Sequence, residues 1–205
     1  MIDLYTWTTP NGRKISVMLE ECGLQYNVHP VNIREGAQFK PEYVKINPNS
    51  KIPAIVDDGH AIFESGAILV HLAEKTGKFL PAKGPARDKV LEWLFWQMAN
   101  IGPMIGQLGH FAQAAPEKIQ YAIDRYANEC ARLIKVLDDQ LGRTEYMAGD
   151  YSIADIATYT WVAAGFGPIK GLKPEVVGEA ANVSRWLAAI GSRLAVKKGI
   201  EVPKV

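Results

Sequence analysis

The stretch NSKIPAIVDDG at residues 49–59, followed by FESGAI at residues 63–68, decides the predicted fold of the first part of the chain. Its Ile-Pro-Ala turn leads into a short strand, and the Asp-Asp-Gly run predicts a tight turn before a second strand. Glu64 and Ser65 then stand at the start of an apolar segment with helical spacing. This order places exposed backbone groups beside a helix N-terminus, where unpaired N–H groups and the helix dipole favour an anion.

The residues before this stretch predict a strand, a helix and a second strand. Residues 2–6 and 26–33 are rich in strand-forming types, and between them apolar residues recur at helical spacing before Gly23, a typical helix C-cap. The apolar set is Ile15, Met18, Leu19 and Cys22. A strand-helix-strand unit of this kind favours parallel pairing of its strands.

The first 77 residues therefore predict an α/β domain with the element order βαβ-α-ββα, which is the thioredoxin-like order; its second helix begins near Pro41. Residues 78–85 contain two prolines and one glycine and predict a linker. Residues 86–205 show apolar spacing by threes and fours nearly throughout and predict an all-α domain. The predicted thioredoxin-like domain is thus residues 1–77.

Three local patterns mark the predicted helical domain. An apolar stripe predicts one long helix, and it comprises Ile123, Ala127, Cys130, Ile134, Leu137 and Leu141. Ser152 and Asp155 have the spacing of a capping box, in which each side chain bonds the backbone N–H of the other. Lys197, Lys198 and Lys204 near the end of the chain predict a frayed, solvated C-terminus.

Composition narrows the class of protein. The 205 residues are 48% hydrophobic, enough for a buried core, and the net charge of +1 provides no basic surface for nucleic acid and no bias toward a membrane. No apolar run reaches the roughly 18 residues of a membrane span, and residues 1–5 lack the start of a secretory signal, so we expect a cytoplasmic protein. Cys22 and Cys130 lie far apart without metal-ligand spacing, so we expect no metal site and no disulfide framework.

A thioredoxin-like half followed by a helical half, with IPA at residues 52–54 and ESGA at residues 64–67, resembles the cytosolic glutathione transferases. Further motifs are similar to those of the bacterial Nu class, and they are TPNG at 9–12, GAQF at 36–39, WLFWQ at 93–97 and YAIDRY at 121–126. That class includes glutathione-dependent disulfide-bond reductases and is related to the yeast nitrogen-regulating prion protein. The resemblance extends over nearly the whole chain.

The resemblance implies glutathione, reduced or as its disulfide, as the cofactor, and it implies where the tripeptide would bind. A cis bond before Pro53 would turn the backbone of Ile52 toward the cysteinyl part of glutathione, which would pair with it like an added strand; an ordinary trans turn is the alternative. Ser65 and the helix N-terminus would hold the γ-glutamyl carboxylate, and Glu64 its ammonium. Plain helix capping is the simpler role of that pair, and the two roles are compatible.

The same resemblance implies a binding role for three more residues, each with a simpler alternative. Gln38 would donate its amide to a carboxylate, and Lys51 would help with the glycyl carboxylate; a solvated side chain is the alternative for both. Arg125 would meet a carboxylate of a second glutathione, for which its planar fork is well shaped. A surface ion pair with Glu129, four residues later on the helix, is the alternative for Arg125.

The loop after the first strand, residues 6–11, contains no cysteine. Disulfide exchange requires an attacking thiolate, so the reactive sulfur must belong to the ligand rather than to this loop. Thr9 and Asn11 are the predicted catalytic residues, because their hydroxyl and amide donors would stabilise a glutathione thiolate and lower its pKa. Turn formation is their alternative role. Tyr5 competes as a thiolate donor, but its place inside the strand favours a structural role.

These residues predict a glutathione-dependent disulfide-bond reductase that uses glutathione thiols and no protein cysteine. One alternative is conjugation of glutathione to an electrophile, or reduction of an organic hydroperoxide, at the same site. A second alternative is a non-enzymatic, glutathione-binding regulatory module. The expected partners are a small-molecule disulfide or electrophile and a second copy of the chain in a homodimer, with no nucleic acid and no membrane.

Overall fold

The computed structural model describes all 205 residues, which form two compact units. The first unit is Met1–Ala82 together with Gly191–Val205, and the second is Lys83–Ile190. The first unit contains one sheet with helices in the predicted thioredoxin-like order, and the second unit is helical, so the predicted fold class is confirmed.

Four strands form the sheet, and they are β1 (Ile2–Thr6), β2 (Tyr26–Pro30), β3 (Ala54–Asp57) and β4 (His60–Phe63). Their spatial order is β2-β1-β3-β4. β1 is parallel to β2 and antiparallel to β3, and β3 and β4 form an antiparallel hairpin. The predicted parallel pairing of the first two strands is confirmed. Leu4 pairs with both Val28 and Ile55 and is fully buried at the centre of the sheet.

Ten α-helices complete the chain, and they are α1 (Pro10–Cys22), α2 (Pro41–Val44), α3 (Ser65–Thr76), α4 (Pro85–Trp96), α5 (Gly102–Gly109), α6 (Gln120–Leu141), α7 (Ile153–Leu172), α8 (Pro174–Val177), α9 (Ala181–Ser192) and α10 (Leu194–Gly199). A 3-10 turn spans Ala37–Phe39, and π-helical segments span Gln97–Ile101 and His110–Ala114. Gly23 ends α1 with φ 70°, a left-handed conformation that glycine adopts without a Cβ penalty.

The C-terminal segment packs against α1 and is not frayed over Leu194–Gly199. Ser16 Oγ donates a hydrogen bond to the carbonyl oxygen of Gly199 at 2.7 Å, and Arg193 makes two hydrogen bonds to Glu21 at 2.6 and 2.8 Å. The expected frayed end is therefore wrong for this helix, which contains Lys197 and Lys198 but not Lys204. The contacts of Gly191–Val205 are with the N-terminal unit, whereas the predicted boundaries place this segment in the helical domain.

We expect Gly199→Ala to destabilise the fold by about 1–3 kcal/mol, because an extra methyl group in a well-packed interior forces neighbouring atoms to shift. A Cβ at Gly199 would lie 2.5 Å from Val17 Cα and 2.7 Å from Val17 N, and backbone atoms cannot move aside as a flexible side chain does. The measurement is the urea midpoint of each variant. Gly171→Ala in α7 is the control, since its Cβ would meet nothing within 4 Å. Equal midpoints for the two variants would contradict the packing argument.

The helical unit confirms the predicted stripe and the capping box. Every stripe residue of α6 from Ile123 to Leu141 is buried. Ser152 and Asp155 form the capping box at the start of α7. The buried Asp155 carboxylate also accepts hydrogen bonds from the backbone N–H of Met147 at 3.0 Å and from Trp186 Nε1 at 2.9 Å. No helix of the chain has the length and apolarity needed to cross a membrane.

Candidate functional site

The carboxyl end of β1 lies beside the start of β3 and the end of β4. The register pairs Tyr5 with Ala54, and Ala54 with Phe63. Residues paired across strands lie roughly 5 Å apart, so the segments that continue from these three residues begin close together. The segments are the loop at 7–9, Ile52-Pro53 and Glu64-Ser65. One end of the sheet therefore gathers the residues predicted to meet the sulfur, the peptide backbone and the γ-glutamyl group of glutathione.

The loop between β1 and α1 is held close to the first turn of that helix. Thr9 Oγ1 accepts a hydrogen bond from the Gly12 N–H at 3.2 Å, so the hydroxyl proton of Thr9 remains able to donate. A Cβ at Gly12 would lie 2.3 Å from the Trp7 carbonyl oxygen and 2.4 Å from Thr6 Oγ1, so this close approach requires glycine. The half-buried Thr9 and Asn11 thus stand at the N-terminus of α1.

The peptide bond between Ile52 and Pro53 is cis, as the resemblance implies. The carbonyl oxygen of Lys51 accepts hydrogen bonds from the Tyr43 hydroxyl at 2.5 Å and from Asn47 Nδ2 at 2.6 Å. These contacts fix the backbone just before Ile52 and leave the Lys51 side chain exposed. Burial raises the pKa of Tyr43 to about 12, which keeps its hydroxyl protonated as a donor. Neither donor follows from the sequence pattern, except that Asn47 opens a turn-forming run at 47–50.

Glu64 and Ser65 begin α3 in different environments. Glu64 occupies the N-cap with φ 69° and ψ 114°, and its exposed side chain makes no capping hydrogen bond. A non-glycine residue rarely adopts this backbone conformation, and such residues cluster at functional sites. Ser65, the first residue of α3, is 7% exposed. Side-chain capping, the simpler alternative for this pair, is therefore not observed at Glu64, and both residues stand where an anion is favoured.

A buried lysine reaches this point from α1. Lys14 is 1% exposed, and its Nζ donates to Ser65 Oγ at 3.3 Å. Burial lowers the pKa of Lys14 to about 7, and the nearby Glu64 carboxylate opposes that shift. The sequence holds one signal for this placement: Lys14 precedes Met18 by four residues and therefore shares the apolar face of α1. The predicted site did not include it.

Comparison with known proteins decides the family. Residues 1–74 match the family described as glutathione S-transferase, N-terminal domain. The disulfide-bond oxidoreductase YfcG of Escherichia coli K12 is 51% identical over 172 residues, which are 80% of this chain and 80% of that protein. The chain belongs to the glutathione transferase family.

Solved structures of other glutathione transferases agree over almost the entire length. The one from Burkholderia graminis has a TM-score of 0.91 at 44% identity, covers 99% of this chain and 88% of its own, and holds two glutathione molecules per subunit. The one from Pseudomonas putida has a TM-score of 0.90 at 42% identity and holds one glutathione disulfide per subunit. The match covers 98% of this chain and 91% of that one. Together with YfcG, these relatives confirm the resemblance to the Nu class.

Gln38 of this glutathione transferase lies in the 3-10 turn Ala37–Phe39, within the loop that follows β2. That loop starts at the same end of the sheet, since the Val31 N–H donates to the Thr6 carbonyl at 2.8 Å. Gln38 Nε2 donates to the Ile33 carbonyl at 3.4 Å, and Oε1 is buried without a protein partner. The amide is therefore only loosely held, and its contact with a carboxylate of glutathione stays a prediction.

Arg125 lies on the exposed face of α6 and lines a surface pocket of the helical unit with Tyr121 and Met104. Glu129, the partner in the alternative role, accepts two hydrogen bonds from Arg132 at 2.8 and 2.7 Å. These hydrogen bonds lower the pKa of Glu129, and the positive charge of Arg125 also lowers it. The surface ion pair and the role toward a second glutathione therefore both stay predictions for Arg125.

Both cysteines of this glutathione transferase are buried. Cys22 is 8% exposed, and burial raises the pKa of its thiol; Cys130 is fully buried in α6, and burial raises its pKa to about 12. A thiol with a raised pKa holds little thiolate at neutral pH, and thiolate is the reactive form. No group of three or more His, Cys, Asp or Glu side chains is placed to hold a metal ion.

Proposed function

We propose that this glutathione transferase reduces disulfide bonds with glutathione as the only source of reactive thiol. The observation that carries the proposal is the loop after β1, which contains no cysteine and places Thr9 and Asn11 at the N-terminus of α1. The relative YfcG is named a disulfide-bond oxidoreductase. The two related structures hold two glutathiones or one glutathione disulfide, which are the reduced and oxidised states of one such turnover.

Glutathione binding follows from the groups at one end of the sheet. The backbone of Ile52 pairs with the cysteinyl residue of glutathione, beside the cis bond to Pro53. Ser65 and the N-terminus of α3 hold the α-carboxylate of the γ-glutamyl group, and Glu64 pairs with its ammonium. Gln38 donates its amide to a carboxylate of glutathione, and Lys51 helps to bind the glycyl carboxylate. Arg125 meets a carboxylate of the second glutathione.

The reaction has two exchange steps. The thiolate of the first glutathione, stabilised by donors from Thr9 and Asn11 and by the N-terminus of α1, attacks one sulfur of the substrate disulfide. The substrate disulfide bond breaks, a mixed disulfide with glutathione forms, and one substrate thiolate leaves. The thiolate of the second glutathione then attacks the glutathione sulfur of the mixed disulfide, which releases the other substrate thiolate and forms glutathione disulfide. Two glutathiones are oxidised, and one disulfide is reduced to two thiols.

A substrate panel tests this proposal against the alternatives. The purified chain is assayed with glutathione and hydroxyethyl disulfide, with an aryl halide and with cumene hydroperoxide. Disulfide reduction should be the fastest of the three. Faster conjugation or peroxide reduction would instead identify the transferase or peroxidase activity, and glutathione binding without turnover on any substrate would identify a binding module.

Replacing Cys22 and Cys130 together with alanine should leave disulfide turnover within about twofold of the parent chain, because buried cysteines act as small apolar residues. The assay uses hydroxyethyl disulfide at saturating glutathione, and circular dichroism confirms folding. Cys22→Ser and Cys130→Ser serve as separate controls for cavity formation. A loss of more than about tenfold in a folded alanine variant would show that a protein thiol takes part.

We also propose a homodimer in the cytoplasm that acts on small-molecule disulfides, without nucleic-acid or membrane partners. The Nu-class resemblance supports the dimer, and the near-neutral net charge of +1 supports the absence of a nucleic-acid partner. A light-scattering mass equal to one chain would contradict the dimer.

A further inference from the structure

Lys14 is a charged residue whose side chain is buried in the fold. It lies on the face of α1 that packs into the unit and is 1% exposed. Lysine is almost never fully buried unless it is paired, because removing an ammonium from water is costly. Val17 and Met18, three and four residues further along α1, are buried on the same side of the helix. A methionine of similar length would fill the same space without that cost.

The ammonium is directed at the start of α3. Nζ lies 3.3 Å from Ser65 Oγ, and a lysine ammonium can only donate. Ser65 Oγ is therefore the acceptor in this contact, and the hydroxyl proton of Ser65 points to another group. Lys14 thus keeps the Ser65 hydroxyl in the orientation of a donor. A donor at the first residue of a helix, together with free backbone N–H groups, suits a carboxylate.

Charge balance at the same point favours an anionic ligand group. The protein supplies the ammonium of Lys14 and the carboxylate of Glu64, whose charge opposes the lowering of the Lys14 pKa. A γ-glutamyl group adds one ammonium and one carboxylate. Its ammonium matches Glu64, and its carboxylate matches Ser65 and Lys14, so four charges alternate in sign.

We propose that Lys14 is a positioning residue for the α-carboxylate of the γ-glutamyl group: it holds the Ser65 hydroxyl as a donor and supplies the positive charge behind it. The inference rests on the proposed glutathione site and assigns Lys14 no contact with the reacting sulfur. Burial lowers the pKa of Lys14 to about 7, and an arriving carboxylate favours the protonated form.

Three peptides separate the carboxylate from the rest of the ligand. Glutathione carries both charges of the γ-glutamyl group, glutaryl-Cys-Gly lacks its ammonium, and 4-aminobutyryl-Cys-Gly lacks its α-carboxylate. Calorimetric titration of the full chain should show Lys14→Met binding glutathione and glutaryl-Cys-Gly about 10- to 100-fold more weakly, as for loss of one hydrogen bond to a charged group. Binding of 4-aminobutyryl-Cys-Gly should change less than about threefold. Lys45→Met, at an exposed lysine of the same unit, is the matched control and should change none of them.

Kinetics give a second discrimination. In the disulfide assay, Lys14→Met should raise KM for glutathione by about tenfold or more and change kcat at saturating glutathione by less than about threefold, because Thr9 and Asn11 are intact. An equal loss of affinity for all three peptides would overturn the proposal, since it would mark a general structural defect. Unchanged affinity for glutathione would overturn it as well. Selective loss in a chain that turns over no disulfide would support Lys14 and refute the reductase function.

The unmutated chain offers a measurement that does not depend on folding of a variant. S-methylated glutaryl-Cys-Gly has neither amine nor thiol, so its binding at pH 8 should take up most of a proton through Lys14, seen as a binding enthalpy that depends on the buffer. S-methylated 4-aminobutyryl-Cys-Gly should take up far less. Other ionisable groups on the elements that pack against α1 could also take up protons, and the second peptide controls for them. On β1, α3 and α10 these groups are Asp3, Tyr5, His71, Glu74, Lys75, Lys197 and Lys198. Equal uptake for both peptides would overturn the proposal.

Discussion

Replacing Thr9 and Asn11 together with alanine is expected to reduce disulfide turnover by about 100-fold or more, which is the usual effect of removing donors from a developing anion. Both residues stand at the N-terminus of α1. The Thr9 hydroxyl oxygen accepts a hydrogen bond from the Gly12 N–H at 3.2 Å, so its proton is not used in that contact and can be donated. Without these donors the pKa of the thiol of bound glutathione rises, and less thiolate is present at neutral pH. The thiolate absorbance of bound glutathione, followed against pH, measures that change directly.

The control for this experiment must separate chemistry from helix capping. Thr9→Ala also removes the N-cap of α1, a loss of about 1 kcal/mol in stability. Thr9→Ser retains both the cap and the donor and should restore most of the turnover, whereas Thr9→Val retains the shape and neither hydrogen bond. If the alanine double variant folds, binds glutathione and turns over disulfide at the parent rate, Thr9 and Asn11 have no part in the reaction.

The fold of the first unit follows from local patterns, and so does much of the candidate site. The strand that ends at Thr6, the turn before Ala54 and the helix start at Ser65 are each visible in a few consecutive residues. Their convergence then follows from pairing rules, because neighbouring strands bring their ends together. The placement of Thr9 and Ile52 at such ends is therefore predictable from the sequence.

Other features depend on contacts between distant parts of the chain and are not visible locally. α10 has six residues and two lysines, so its short apolar pattern does not predict a packed helix, and its hydrogen bond from Ser16 spans 183 residues. Tyr43 and Asn47 act through the Lys51 carbonyl, a backbone atom that no side-chain pattern reveals. These are tertiary contacts, which override local preference wherever they occur.

Lys14 lies between these two cases and shows how the site affects the stability of the fold. Its spacing from Met18 places it on the apolar face of α1, but only the structure shows that Ser65 and the Glu64 charge meet it there. A lysine in the unfolded chain titrates near 10.5, and burial lowers the pKa of Lys14 to about 7 in the folded chain. Between these two pH values the unfolded chain binds the additional proton. The free energy of unfolding therefore rises with pH across this window, by up to about 1.4 kcal/mol per pH unit.

Lys14→Met is accordingly expected to stabilise the ligand-free protein by about 3 kcal/mol near pH 6.5, within the range observed when buried charges are replaced by apolar residues. The gain should shrink as the pH rises toward 10.5, because the folded and unfolded states of the parent chain then bind the same number of protons at this position. Urea unfolding of both chains at pH 6.5, 8 and 9 (roughly from below the folded pKa to the middle of the window) measures the difference in stability. Titration of Tyr43, whose pKa is raised to about 12, is common to both chains and cancels.

A purely structural lysine would give the opposite sign, since its removal would destabilise the fold at every pH. A difference in stability that does not vary with pH would therefore contradict a buried ammonium at this point. So would a less stable variant at pH 6.5, roughly where Lys14 is mostly charged in the folded chain. The exposed Lys45→Met variant should show no such trend. A variant that gains stability while it loses affinity for the γ-glutamyl carboxylate would show that the charge is retained for binding, at the expense of the free fold.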